Sequence, residues 1–185
     1  MGLRIIIAVT GASGTIYAFR LLKACRDLDI ETHLIVTEAA EKVASHEIGD
    51  ASKLAELADY TYGPDELEAP IASGSFKVDA MVVVPASMKT MGALANGYVP
   101  NLVTRAADVH LKERRPLVLV PRETPLHAVH LENMAKLSRL GAVVLPAMPG
   151  FYHRPETVDD IADFIVGKIL DQLNVPNELF RRWGS

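Results

Sequence analysis

Residues Leu3 to Val9 form a near-continuous run of aliphatic, mostly β-branched side chains interrupted only by Arg4. Such a segment turns no polar face to water, so it must be covered on both sides, as a central strand of a parallel sheet is. The pattern recurs at His33–Val36, Ala80–Val84, Leu117–Val120 and Ala142–Leu145. Between these runs the apolar spacing becomes helical. Ile16, Phe19, Leu22 and Cys25 follow the first strand, and 102–113 and 126–140 read as helices. A last helix over 156–173 gathers Ile161, Phe164, Ile165, Ile169 and Leu173 on one face. The stretch 38–42 favours helix, 54–57 is a short helical candidate, and Tyr62-Gly63-Pro64 reads as a turn. Strands separated by helices of about ten residues or more make βαβ units. The expected fold is a doubly wound, three-layer α/β domain with a parallel sheet, spanning 1–185 as one unit.

Charge and cysteine usage narrow the function. A net charge of −4 argues against nucleic acid as partner, because backbone phosphates require a basic surface. The run Lys112, Arg114, Arg115 is short and interrupted by Glu113. The single cysteine, Cys25, falls in an apolar helical pattern and reads as a core thiol, which fits a reducing compartment. No segment approaches the ~20 apolar residues of a bilayer span. A cytoplasmic protein without membrane or nucleic-acid partners is expected.

In an open parallel sheet, ligands sit at the carboxyl ends of the strands, so each end is a place to look for chemistry. The first strand ends in Thr10-Gly11-Ala12-Ser13-Gly14. Its glycines allow close backbone approach, and the helix that follows offers N–H groups to an anion. A simple tight turn explains the same residues. The spacing is neither the dinucleotide fingerprint, since Tyr17 stands where a third glycine would, nor a Walker loop. Thr37 ends the second strand, where helix capping is the simpler reading. The third strand ends in Pro85-Ala86-Ser87-Met88-Lys89-Thr90, with two hydroxyls astride a helix start. The fourth ends in Arg122-Glu123. A guanidinium there suits a phosphate and a carboxylate suits proton transfer, although a solvated surface pair reads equally well. The fifth runs into Pro146–His153, a rigid aromatic segment fit to wall a planar ligand. Hydroxyl-bearing turns and an arginine at one edge suit a phosphorylated ligand. The histidines show no metal-ligand spacing, and no metal is expected.

Taken in order, these residues carry a resemblance. Thr10–Gly14, Ala72-Ser73-Gly74-Ser75, Arg105-Ala106-Ala107-Asp108, Leu111–Pro116, Pro121-Arg122-Glu123, His130–Met134 and Pro149-Gly150-Phe151-Tyr152 resemble the UbiX family of flavin prenyltransferases along essentially the whole chain. The resemblance implies a Rossmann-like homo-oligomer, usually a dodecamer. It also implies reduced FMN as acceptor, and dimethylallyl phosphate or diphosphate as donor. The product would be prenylated FMN for partner decarboxylases of the UbiD type, made without a metal.

By position, the resemblance assigns Gly11, Ala12, Ser13 and Thr37 to one side of the FMN site. Ser87, Met88, Lys89 and Thr90 form the other, and Arg122 contacts the flavin. Tyr152 and Lys168 match a prenyl-phosphate grip. Lys112, Arg105 and Glu123 match polar residues of that pocket, some supplied across a subunit boundary, and Glu47 a carboxylate near the flavin. Ser13, Glu47, Lys112, Glu123 and Tyr152 are thereby implied as catalytic. Two positions depart from the pattern: Lys168 stands where relatives often have arginine, and Leu67 where some have tryptophan. The flavin-dependent cysteinyl-peptide decarboxylases share the fold but usually carry a histidine before the third strand, where this chain reads Ala72–Asp79. A non-catalytic flavin-storage or delivery protein would have no use for Lys112, Glu123, Tyr152 and Lys168.

Overall fold

The computed structural model describes residues 2–184. Its elements, in chain order, are β1 (Arg4–Val9), α1 (Thr15–Asp27), β2 (Glu31–Val36), α2 (Glu38–Glu47), α3 (Ser52–Ala55) and β3 (Tyr60–Tyr62). After a 3-10 turn at Pro70–Ala72 come β4 (Ala80–Ala86), α4 (Met88–Ala95), α5 (Leu102–Lys112), β5 (Leu117–Pro121), α6 (Ala128–Arg139), β6 (Val143–Val144) and α7 (Val158–Gln172). The six strands form one sheet in the order β3-β2-β1-β4-β5-β6, and every neighbouring pair is parallel.

Alternation along the strands divides the apolar residues between two cores. Ile5, Ile7 and Val9 of β1, with Val82 and Val84 of β4, pack under α1 and α7. Ile6 and Ala8, with Met81 and Val83, pack under α4, α5 and α6. This is why the strand sequences lack a polar face: both faces are roofed by helices. Within α7, Phe164, Ile165 and Ile169 are buried and Ile161 only partly so, as is Leu173, which caps the helix end rather than extending it. Each fully buried Ile or Leu contributes about 1.5–3 kcal/mol of transfer free energy.

The sheet has one strand more than the apolar runs indicate. Tyr60–Tyr62 pairs with β2 as a three-residue edge, and its largely exposed Tyr-Thr-Tyr carries no apolar run to announce it. The opposite edge, β6, shrinks to two residues. Short edges of this kind present little unpaired backbone for aggregation. Between Val83 and Ala86 the pairing of β4 with β5 shifts register, and Ala86 then joins the core that contains Met81 and Val83. The chain reverses its winding between β1 and β4, which opens a crevice at their carboxyl ends.

Candidate active site

The crevice is held open by hydrogen bonds between the ends of β1 and β4. Thr10 Oγ1 donates to the Pro85 carbonyl at 2.8 Å and accepts from the Ser87 N–H at 2.8 Å. A buried hydroxyl thus clamps two loops 75 residues apart in sequence. The resulting cleft, about 440 Å³, is lined by Thr10, Gly11, Thr37, Ser87, Lys89 and Thr90 among others, a volume within the usual range of small-molecule sites. Gly11 is required by packing: a Cβ there would lie 2.5 Å from the Cβ of Ala39 on α2. Thr37 and Ser87 are the N-caps of α2 and α4, accepting from Ala40 N and Thr90 N at 3.3 Å each. Capping was the simpler reading for Thr37, and Thr37 also lines the cleft. Ser87 and Thr90 share a hydrogen bond at 3.0 Å, so one hydroxyl proton of the pair remains to be donated outward.

The N-terminus of α1 differs from the anion cradle that its glycines suggest. Its cap residue, Gly14, has φ 114° and supplies no side chain. The Glu47 carboxylate, from the last turn of α2, fills that position. It accepts from Ser13 Oγ (2.6 Å), Gly14 N (2.9 Å), Thr15 N (2.7 Å) and Thr15 Oγ1 (2.7 Å). Partial burial pushes the Glu47 carboxyl up, but the bonds from Ser13, Thr15 and Gly14 outweigh it and hold the group below the usual range. Glu47 is therefore ionised at neutral pH and complements the helix dipole. A phosphate has no place on those N–H groups. Ser13, with its proton committed to Glu47, is left with oxygen lone pairs to present to a ligand's N–H.

Arg122 and Glu123 follow β5 directly, and the Arg122 N–H reaches the Ala86 carbonyl at 3.4 Å. This places them beside the Ser87 turn. Glu123 is exposed and accepts from the Thr124 N–H at 2.9 Å, so the pair is not an internal salt bridge. Tyr17, one turn into α1, packs its ring against Gly14, where a Cβ would come within 2.8 Å. Its phenol is half-buried, which raises its pKa; Arg122 lowers it and Glu47 raises it again. Tyr17 thus feels both charged groups. The sequence signal was present, three residues after Gly14, but read only as a missing glycine.

The Pro146–Tyr152 segment lies against the same edge, with Ala147 N bonded to the Pro121 carbonyl at 3.0 Å. Tyr152 is edge-on to Phe164 of α7 and to Trp183 near the C-terminus, with ring centroids 5.9 and 5.2 Å apart. The C-terminal segment folds back on α7, where Arg182 grips Asp171 through both nitrogens at 2.6 and 2.8 Å. Lys168 approaches the same carboxylate at 3.6 Å. Tyr152 and Lys168 therefore belong to one patch, joined through Arg182, Asp171 and Trp183.

Lys112 and Arg105 stand apart from these groups within the chain. They lie on α5, a helix about 16 Å long that starts near the cleft at Asn101 and ends by β5's amino end. Lys112 pairs with Glu113 beside Gly74, and Arg105 donates to the Ala72 carbonyl at 3.0 Å. With the Ser73-Gly74-Ser75 loop they form a second polar patch. Lys112, Arg122 and Lys168 are thus not one cluster in a single subunit. Leu67 is 51% exposed, outside either core. Among the described residues, no group of three His, Cys, Asp or Glu side chains could hold a metal, and no helix is long and apolar enough to cross a membrane.

A family model described as Flavoprotein matches residues 1–170. A flavin prenyltransferase UbiX of Methanothermobacter thermautotrophicus is 54% identical over 180 residues, covering 97% of this chain and 94% of that one. The chain belongs to the flavin prenyltransferase family. The flavin prenyltransferase UbiX of Escherichia coli K12 is 47% identical, with 97% of each chain covered. Among solved structures, AnUbiX (PadA1) in complex with FMN and dimethylallyl pyrophosphate superposes with a TM-score of 0.98 at 43% identity, over 100% of this chain and 99% of that one. A dodecameric FMN-dependent UbiX-like decarboxylase from Escherichia coli O157:H7 gives 0.96 at 46% identity, over 99% and 100%. The peptidyl-cysteine decarboxylase EpiD, at 16% identity and a TM-score of 0.67, shares the fold alone. The fold of this flavin prenyltransferase family member thus matches that of the two UbiX-type structures over essentially the whole chain.

Proposed function

We propose that this protein transfers a dimethylallyl group from dimethylallyl phosphate or diphosphate to N5 and C6 of reduced FMN, without a metal. The observation that carries this reading is Ser13 bound to an ionised Glu47 just past the carboxyl end of β1. The crevice fits a flavin mononucleotide: hydroxyls from Ser87 and Thr90 and the Lys89 ammonium suit its phosphate, and its volume suits a ring system. Reduced FMN supplies a nucleophilic nitrogen and a nucleophilic ring carbon. Ser13 orients the N5 edge by accepting its N–H, and passes the released proton to Glu47. Arg122 holds the flavin and faces the departing phosphate. Glu123, exposed just past β5, relays a proton to the near carbon of the allylic double bond as C6 bonds to the far one, and takes the proton that C6 then loses. Tyr152 covers the allylic group, excludes water, and offers its ring face to developing positive charge.

Lys168 receives the leaving phosphate, and each well-placed donor of this kind is worth about 3 kcal/mol at a transition state. Lys112, Arg105 and the Ser73–Ser75 loop serve the same pocket from a neighbouring copy, because Lys112 lies at the far end of α5 and Arg105 is turned onto the Ala72 carbonyl beside that loop. The working form is then a homo-oligomer, a dodecamer like the UbiX-like decarboxylase from Escherichia coli O157:H7. The product is passed to a decarboxylase of the UbiD type in the cytoplasm. The test is incubation with reduced FMN and either donor, followed by mass spectrometry of the released flavin. A gain of one prenyl unit is expected, and no adduct with either donor would refute the transferase reading.

A further inference from the structure

Asp171 has no role in the reaction as described so far, yet it is the centre of the densest ionic contact near Tyr152. Its two oxygens take both guanidinium nitrogens of Arg182, and Oδ1 also accepts from Asn177 Nδ2 at 3.2 Å. Arg182 in turn donates to the Asn177 carbonyl at 3.2 Å and stacks on the Phe180 ring at 4.5 Å. The next residue is Trp183, which is 81% exposed and makes an edge contact with Tyr152. From the other side, Lys168 leans on Asp171 across one helical turn. The segment that carries Arg182 is seated closely: a Cβ on Gly167 would come within 2.6 Å of Phe180.

We propose that Asp171 is a positioning residue for the donor end of the site. It fixes the Arg182–Trp183 segment against Tyr152 and holds the Lys168 ammonium at the same place. This rests on the prenyl-transfer reading for Lys168 and Tyr152. The argument is one of geometry. A lysine side chain on a helix surface samples many rotamers, and fixing it costs entropy. A carboxylate one turn away limits that sampling before the phosphate arrives. Phe180 anchors the segment in the core, and the bidentate guanidinium pair two residues on fixes its direction beyond that anchor. The Asp171 carboxyl is held below its ordinary range chiefly by Arg182, so the contact persists across neutral pH. Asp171 touches neither substrate in this scheme; it acts through Lys168, Arg182 and Trp183.

Trp183 is the chain's single tryptophan, so its emission reports on this segment alone. The test is Asp171→Asn in the full-length assembly, read by time-resolved anisotropy of Trp183 with and without FMN, and by steady-state kinetics with dimethylallyl phosphate and diphosphate. The expected result has three parts: a new nanosecond component of indole motion, a KM for the donor raised about tenfold, and kcat and FMN affinity changed less than threefold. Asp171→Glu restores part of the effect. Arg182→Gln breaks the same contact from the exposed side, and combining the two changes costs little more than either alone. Unchanged indole motion in Asp171→Asn and Arg182→Gln overturns the proposal, and so does freed indole motion with an unchanged donor KM. If the wild-type protein makes no adduct, the transferase reading fails separately, since the anisotropy arm uses no donor.

Discussion

Replacing Glu47 with glutamine tests the reading of the α1 terminus most directly. The carboxylate accepts from four donor atoms on three consecutive residues, Ser13, Gly14 and Thr15. An amide of the same shape keeps one acceptor oxygen but turns an NH₂ toward backbone N–H groups. Hydrogen bonds to a charged group are each worth about 1.5–3 kcal/mol where water is excluded. Glu47 is exposed at its outer edge, so water replaces part of the loss, and the effect falls toward that of a lost helix cap, about 1–2 kcal/mol. For a chain of this size that corresponds to roughly 2–8 °C in Tm at fixed protein concentration. The pH dependence carries a sign. Because the folded carboxyl titrates below its unfolded value of about 4.3, its stabilisation is present above that pH. It is lost as pH falls through the folded value. The glutamine variant therefore converges on wild type in acid and diverges near neutrality. With Ser13 no longer held, the first bond-forming step slows by about 10²-fold, the usual cost of a misplacement near 1 Å. Differential scanning fluorimetry from pH 3.5 to 7.5 and single-turnover flavin spectroscopy measure both effects. A constant Tm offset across that range, or a wild-type first step, would refute the argument.

Three further outcomes follow from the geometry. Glu123→Gln slows ring closure by about 10²-fold or more while the first alkylation stays fast; if single-turnover spectra show both steps at wild-type rates, Glu123 moves no proton. Gly11→Ala forces its new methyl onto the Ala39 Cβ and costs about 1–3 kcal/mol in urea unfolding, most of it recovered by adding Ala39→Gly. Cys25 is buried and its thiol is pushed up to about 12, chiefly by burial. It should therefore resist iodoacetamide at pH 8 in the folded protein and react fully in denaturant, and rapid labelling of the native chain would contradict its place on the buried face of α1.

Much of this molecule can be read residue by residue. The two-faced strands, the helices between them and the hydroxyl turns at the strand ends are local patterns, and the long ones lie where their patterns put them, while the edge strand at 142–145 shortens to Val143–Val144. Arg122 and Glu123 stand out in sequence because a buried strand delivers two charges at its end. Glu47 has no such mark: alone it is one more charged residue on a helix. Its meaning comes from a fold that carries the end of α2 to the start of α1, 34 residues earlier in sequence. Tyr17, Asp171 and Arg182 are unmarked for the same reason, since each matters through a neighbour that local spacing does not supply.

What the sequence determined by itself is therefore which residues must be buried, which stretches turn, and, through the short motifs in their order, the family. Only the tertiary structure decided the strand order that joins Thr10 to Ser87, and the occupation of the α1 N-terminus by a carboxylate rather than a phosphate. It also decided the separation of Lys112, at the far end of α5, from its own chain's crevice. Burial and turn preference are local free energies, legible from a few residues at a time. Contacts across 30 to 75 residues depend on how whole layers pack, and no short window of sequence contains them.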